Sequence, residues 1–171
     1  MIQNRLMNND EIDSRVVLMC GISGSGKTHY SRQLENQGYR RLSIDEQIWS
    51  RHGSGFADLP PERRKEIFMD ATAELFVRLG EMLENGEKVV VDSTMCKRIK
   101  RDNARSICRK HGVEPAIIYM SAPLPVLWKR LSGRLGNGPD DLIVSHSDLM
   151  SYFENFEAPM PDENYMVFKQ T

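Results

Sequence analysis

Short apolar runs rich in β-branched residues alternate along this chain with longer segments whose apolar positions recur every three to four residues. The short runs lie at Arg15–Cys20, Tyr39–Ile44, Lys88–Val91, Ala116–Met120 and Tyr165–Phe168. Val16-Val17-Leu18-Met19 and Val89-Val90-Val91 show no polar alternation at all. A strand with one wet face would alternate, so these runs predict strands covered on both faces, as in a parallel sheet. From Glu62 to Asn85, the residues Ile67, Ala71, Leu75, Leu79 and Met82 fall on one stripe and predict a long amphipathic helix. Gly86 stands where its C-terminal cap belongs. Ile99–His111 predicts a second helix, closed by Gly112. Ser145, with Asp148 three residues on, predicts the start of a third, carrying Leu149, Tyr152, Phe153 and Phe156. Strand–helix alternation at this spacing reads as a doubly wound α/β domain. Two stretches read as irregular: Arg51–Pro61, and Gly133–Asp141 with its three glycines and a proline.

With 171 residues, 40% of them apolar and 27% charged, the chain is expected to form one domain, residues 1–171, with an ordinary core. The 23 basic and 24 acidic residues leave a net charge of -1, which excludes a polybasic coat for nucleic acid. Cys20, Cys96 and Cys108 are too few and too scattered for a disulfide framework or a zinc ribbon. Residues 1–14 are polar and acidic, neither signal nor transit peptide, and are expected to be a flexible N-terminal segment. The longest apolar runs fall far short of the roughly 20 residues that span a bilayer. A cytoplasmic location is expected, with no membrane contact and no obligate protein partner.

Gly21-Ile22-Ser23-Gly24-Ser25-Gly26-Lys27-Thr28 matches G-x-x-x-x-G-K-[ST] in full. Glycine tolerates the backbone angles that turn successive N–H groups inward around phosphate oxygens. The helix that follows presents its positive N-terminal end to the same anion. In this reading Gly21, Ser23, Gly24, Ser25, Gly26, Lys27 and Thr28 hold the nucleotide. Lys27 reaches the β- and γ-phosphates, and the Thr28 hydroxyl is a ligand of Mg²⁺. The loop follows a buried apolar run and opens a helix, so a P-loop NTPase fold is expected, with ATP and Mg²⁺ as cofactors. Asp92 closes the Val89–Val91 run at the end where strand C-termini meet a nucleotide crevice, and is the second expected metal ligand.

The N-K-x-D and D-x-x-G motifs of GTPases are absent. The chain does have Asp45 closing its second apolar run, and Arg130 and Arg134 spaced one helical turn apart before the glycine-rich segment. An acid beside the γ-phosphate can activate an acceptor hydroxyl, and arginines on a mobile flap can neutralise the transferring phosphoryl group. Asp45, Lys27, Arg130 and Arg134 are thus the expected catalytic set. Arg130 also touches the nucleotide, within a small helical lid spanning about 123–144.

At this point the sequence resembles a family. Gly21–Thr28, Ser43-Ile44-Asp45-Glu46 and Val89–Asp92 with Ser93-Thr94 look like the P-loop kinase group. That group includes polynucleotide 5′-kinases, zeta-toxin kinases, chloramphenicol phosphotransferase and gluconate-type kinases. The likeness runs on through Arg98 and Arg101, through Ala122-Pro123-Leu124 to Arg130 and Arg134, and into Phe156-Glu157-Ala158-Pro159. It implies a five-stranded parallel sheet sandwiched by helices, an acceptor-activating acid at Asp45 and lid arginines at Arg130 and Arg134. The Asp92-Ser93-Thr94 segment is similar to the polynucleotide kinase branch, except that Met95 stands where Asn is usual.

Seven basic residues lie between Lys97 and Lys110, and Arg98, Arg101, Arg105 and Arg109 form one helical stripe. Its first turn follows Asp92 closely, so Arg98 and Arg101, together with Asp45, are expected to hold the acceptor. Arg105 and Arg109 are expected on a solvated face. Two functions stay open: transfer of the γ-phosphate of ATP to a hydroxyl of a small molecule or of a nucleic-acid 5′ end, and a slow ATP-hydrolysing switch acting through a protein partner.

Overall fold

The computed structural model describes residues 12–170, so most of the segment expected to be flexible lies outside the described residues. Five strands form one parallel sheet: β1 (Val16–Cys20), β2 (Arg40–Ser43), β3 (Val89–Asp92), β4 (Ala116–Ser121) and β5 (Tyr165–Lys169). Their order across the sheet is β2-β3-β1-β4-β5, with Val16 opposite Val89, Cys20 opposite Tyr119 and Ser43 opposite Asp92. Six helices, α1 (Lys27–Glu35), α2 (Ile44–His52), α3 (Pro61–Glu84), α4 (Arg98–Lys110), α5 (Leu124–Leu131) and α6 (His146–Glu154), join the strands.

The lack of alternation in β1 has its cause in two cores. Val16, Leu18 and Cys20 point to one face, among Ile48 of α2, Leu75 and Leu79 of α3 and Ala104 and Cys108 of α4. Val17 and Met19 point to the other, against Tyr30 and Leu34 of α1. Burying one such aliphatic side chain stabilises by about 1.5–3 kcal/mol, so the central strand is anchored from both sides. All five residues of the α3 stripe are buried, and the helix opens on Pro61, whose missing N–H costs nothing in a first turn. A third cluster of Ile22, Leu127, Leu131 and Leu149 fastens the loop after β1 to α5 and α6.

Three boundaries differ from the sequence reading. The second strand stops at Ser43, because the Ser43 hydroxyl accepts the Glu46 N–H at 3.2 Å and caps α2. Asp45 therefore lies in the first turn of a helix rather than at a strand end. The stretch expected to be irregular, Arg51–Pro61, continues α2 to His52 and adds a 3₁₀ segment over Gly53–Asp58. Its Phe56 is buried edge-on against Phe68 at 5.6 Å. Finally, α5 ends at Leu131, so Arg130 sits in its last turn and Arg134 lies beyond it. Between α5 and α6 the segment expected to form a lid is irregular save for a 3₁₀ turn at Pro139–Asp141, which packs on α2. Among the described residues, no helix is long and apolar enough to cross a membrane.

Candidate active site

The loop between β1 and α1 depends on two of its glycines for different reasons. Gly26, which begins α1, has φ 99° in the left-handed region. Gly21 is held by proximity as well: a Cβ there would lie 2.5 Å from the Met120 carbonyl oxygen. The Gly21 N–H donates to the Thr94 carbonyl at 3.0 Å, tying the loop to the turn after β3. The Lys27 ammonium turns back and donates to the Ile22 carbonyl at 3.0 Å. Burial pulls its pKa below the usual lysine value, against the opposing pull of Asp92 and Asp45.

The loop opens on a crevice of about 580 Å³, lined by Ser23, Gly24, Gly26, Lys27 and Thr28 and, from other elements, by Asp45, Arg130 and Arg134. The structure thus brings the expected catalytic set together. Arg130 donates to the Gly24 carbonyl at 3.0 Å and to the Gln170 side-chain oxygen at 3.3 Å. Arg134 donates to the Leu142 carbonyl at 3.0 Å, bracing the segment between α5 and α6 from within. Burial, with the Asp92 charge second, pushes the Asp45 carboxyl up to about 6, although Lys27 and Arg134 pull it down. A carboxyl poised there can take a proton near neutral pH.

Asp92 ends β3 with its side chain 4% exposed, and its Oδ2 accepts from Arg41 Nη1 at 2.7 Å. Among the described residues, no group of three or more His, Cys, Asp or Glu could hold a metal by itself. A nucleotide-borne Mg²⁺ needs no such cage, since one or two carboxylates, waters and phosphate oxygens complete its shell. The Thr28 hydroxyl on the crevice wall and the Asp92 carboxylate beside Lys27 are hard oxygen donors of the required kind.

Arg98 and Arg101 are not brought to this crevice, which corrects their expected substrate contact. Arg101 is wholly buried, with its guanidinium committed to Glu163 and to the carbonyls of Met95 and Glu157. Arg98 pairs with Asp162 at 3.1 Å and with Asp102, while its backbone N–H donates to Glu157 at 2.9 Å. Arg105 is buried too, contrary to a solvated face, whereas Arg109 lies on the solvated face expected of it and pairs there with the exposed Glu114. Arg101 and Arg105 form a structural seam, flanked by exposed pairs at Arg98 and Arg109.

Sequence reasoning missed four other lining residues, His29, Arg32, Asp140 and Gln170. It also passed over Arg41, which holds Asp92. Thr28 and Lys27 sit at the start of α1, so His29 and Arg32 could have been projected onto the crevice side by helical spacing. Asp140 and Gln170 carried no local signal. Cys20, next to the loop, is buried, and burial pushes its thiol up to about 12, far from a reactive thiolate.

The profile of the AAA domain family matches residues 16–159. No curated protein matches the sequence. Solved structures share the fold. A gluconokinase from Sinorhizobium meliloti is 24% identical, covers 90% of this chain and 81% of its own, and superposes with TM-score 0.62. A putative kinase from Chloroflexus aurantiacus is 18% identical over 90% of this chain and 86% of its own, at TM-score 0.72. Chaetomium thermophilum Kti12, solved with ADP-AlF₃, is 16% identical over 91% and 88%, at TM-score 0.68. A profile match from the first strand to just beyond α6, together with a phosphate-binding loop folded as its motif requires, shows that the chain belongs to the AAA domain family, in the small P-loop kinase group that its motifs resemble.

Proposed function

We propose that the protein is an ATP-dependent phosphotransferase that moves the γ-phosphate of ATP to a hydroxyl of a small molecule or of a nucleic-acid 5′ end. The observation that carries this reading is the shared crevice of Lys27 and Asp45, one following the phosphate-binding loop and the other in the first turn of α2. Burial and the Asp92 charge raise the Asp45 carboxyl to about 6, and perturbed carboxyls of this kind cluster at sites that move protons, which supports the reading.

In this reading the loop N–H groups and Lys27 hold the β- and γ-phosphates of ATP. Lys27 leaves the Ile22 carbonyl for the phosphate oxygens. Asp45 accepts the proton of the acceptor hydroxyl as its oxygen bonds to the γ-phosphorus, and the bond from that phosphorus to the β–γ bridging oxygen breaks, releasing ADP. Arg130 and Arg134 lie on the crevice wall, where they can neutralise charge spreading over the transferring group. Mg²⁺, bound with the nucleotide by Thr28 and Asp92, would screen the phosphate charge.

Acceptor recognition falls to the walls near Asp45, since Arg98 and Arg101 are occupied elsewhere. The test is a screen of hydroxyl compounds and 5′-hydroxyl oligonucleotides with γ-labelled ATP. Label carried to one acceptor class supports the reading. Label released only as inorganic phosphate, whatever the acceptor, supports the switch instead.

A further inference from the structure

Arg41 stands on β2, two residues before the Ser43 cap, and its side chain is 2% exposed although four carboxylates surround it. Nη1 donates to Asp92 Oδ2 at 2.7 Å and lies 3.5 Å from Asp140 Oδ1. Nη2 pairs with Glu46, and Nε stands 3.7 Å from a Glu35 oxygen, without a hydrogen-bond partner among the described residues. These four acids are not equivalent. Glu46 and Glu35 have side chains nearly half exposed, where water screens them. Asp92 is buried at the end of β3, and Asp140, which lines the crevice, sits on the 3₁₀ turn that packs on α2. Asp140 is also bound by Arg32 of α1.

One planar cation therefore joins the carboxylate on the metal side of the crevice to the lid. Fold stability alone is a poor reason for it, because a buried ion pair rarely improves on apolar packing. The guanidinium fork, however, can serve two carboxylates at once in fixed directions, which a lysine ammonium cannot. Groups that hydrogen-bond a metal-binding carboxylate set its orientation and hence its affinity. We propose that Arg41 is a positioning residue that couples metal–nucleotide binding to lid docking: it orients Asp92 and holds Asp140 from the same guanidinium. This rests on the phosphotransfer reading only in taking an Mg²⁺–nucleotide as the ligand of the crevice.

The coupling is read without any acceptor. ADP affinity is measured by calorimetry with and without Mg²⁺, and cleavage within residues 133–141 by limited proteolysis in the same two conditions. In the wild type, Mg²⁺ should tighten ADP binding and slow the cleavage. Arg41→Gln and Arg41→Lys should lower the Mg²⁺ effect on affinity roughly 10-fold or more and abolish the protection. Asp140→Asn lies on a partly exposed turn, so it tests the lid end even where the Arg41 variants fail to fold. By linkage it should lose protection and also weaken Mg²⁺-dependent ADP binding severalfold. A folded Arg41 variant with both effects intact overturns the proposal. So does an Asp140→Asn protein that loses protection while its Mg²⁺ effect is unchanged. Wild-type protein that binds no ADP at all would instead overturn the phosphotransfer reading, and the coupling with it.

Discussion

The Arg101 guanidinium meets the Glu163 carboxylate through two hydrogen bonds, Nε to Oε2 at 2.6 Å and Nη2 to Oε1 at 3.0 Å, with neither side chain exposed. The remaining terminal nitrogen donates to the Met95 and Glu157 carbonyls, both at 2.8 Å. Met95 has φ 43°, an uncommon conformation for a side chain of its size, and it follows the Thr94 whose carbonyl holds Gly21. The buried pair thus fixes the turn after β3 and, one bond further, the entrance of the phosphate-binding loop.

Removing one partner of this pair strands a charge in the core. Arg101→Ala or Glu163→Gln should cost about 3–5 kcal/mol in urea unfolding at neutral pH. Burial alone would raise the Glu163 carboxyl, but the hydrogen bonds and charge of Arg101 outweigh it and hold the pKa below the ordinary 4.5. A lowered folded-state pKa gives stability that is present above 4.5 and lost as pH falls through the folded value. The stability gap between wild type and Glu163→Gln should therefore shrink in acid. A gap of less than 1 kcal/mol at pH 7 would assign the seam a minor role.

Lys27→Ala should remove transfer activity by about 10²-fold or more while leaving the melting temperature at or above that of the wild type. Its ammonium is buried with a depressed pKa, so truncation relieves a desolvation cost that outweighs the lost bond to the Ile22 carbonyl and the pull of Asp92 and Asp45. Thermal unfolding beside a transfer assay checks both halves. A Lys27→Ala protein that folds and still transfers at a near-normal rate contradicts the account.

Asp45 carries a stability cost with a defined pH window. Its folded-state pKa is raised from 3.8 to about 6, so the charged form is disfavoured by folding. The associated stability is fully present below 3.8 and is lost as pH rises through about 6. Asp45→Asn should accordingly be more stable than the wild type at pH 8, and the advantage should vanish by pH 3.8, in denaturant titrations at the two pH values. A variant less stable at pH 8 would mean that Asp45 supports the fold of α2.

Gly21–Thr28 and the α3 stripe were legible because local backbone chemistry and helical spacing decide them. The five strands followed for the same reason, since residues such as Val89-Val90-Val91 have no place on a wet surface. The α4 arginines were not legible. Their partners Asp162 and Glu163 lie 64 and 62 residues further on, beyond any spacing rule, and a stripe of four arginines looks alike whether it meets water, a ligand or a buried carboxylate. Arg41 was hidden in the same way, inside a strand whose partner Asp92 is 51 residues away. The boundary at Asp45 was missed because a single hydroxyl, that of Ser43, ends the strand one residue early.

The central claim is that Asp45 takes the proton of an acceptor hydroxyl, and its most direct test is single-turnover transfer from γ-labelled ATP by wild type and Asp45→Asn, with ADP affinity measured on the same two samples. A positioned general base contributes about 10²–10⁴-fold. The account predicts a fall in transfer of that order with ADP affinity unchanged, because the loop that grips the phosphates is untouched. Transfer that persists at the wild-type rate in a folded Asp45→Asn protein would contradict it.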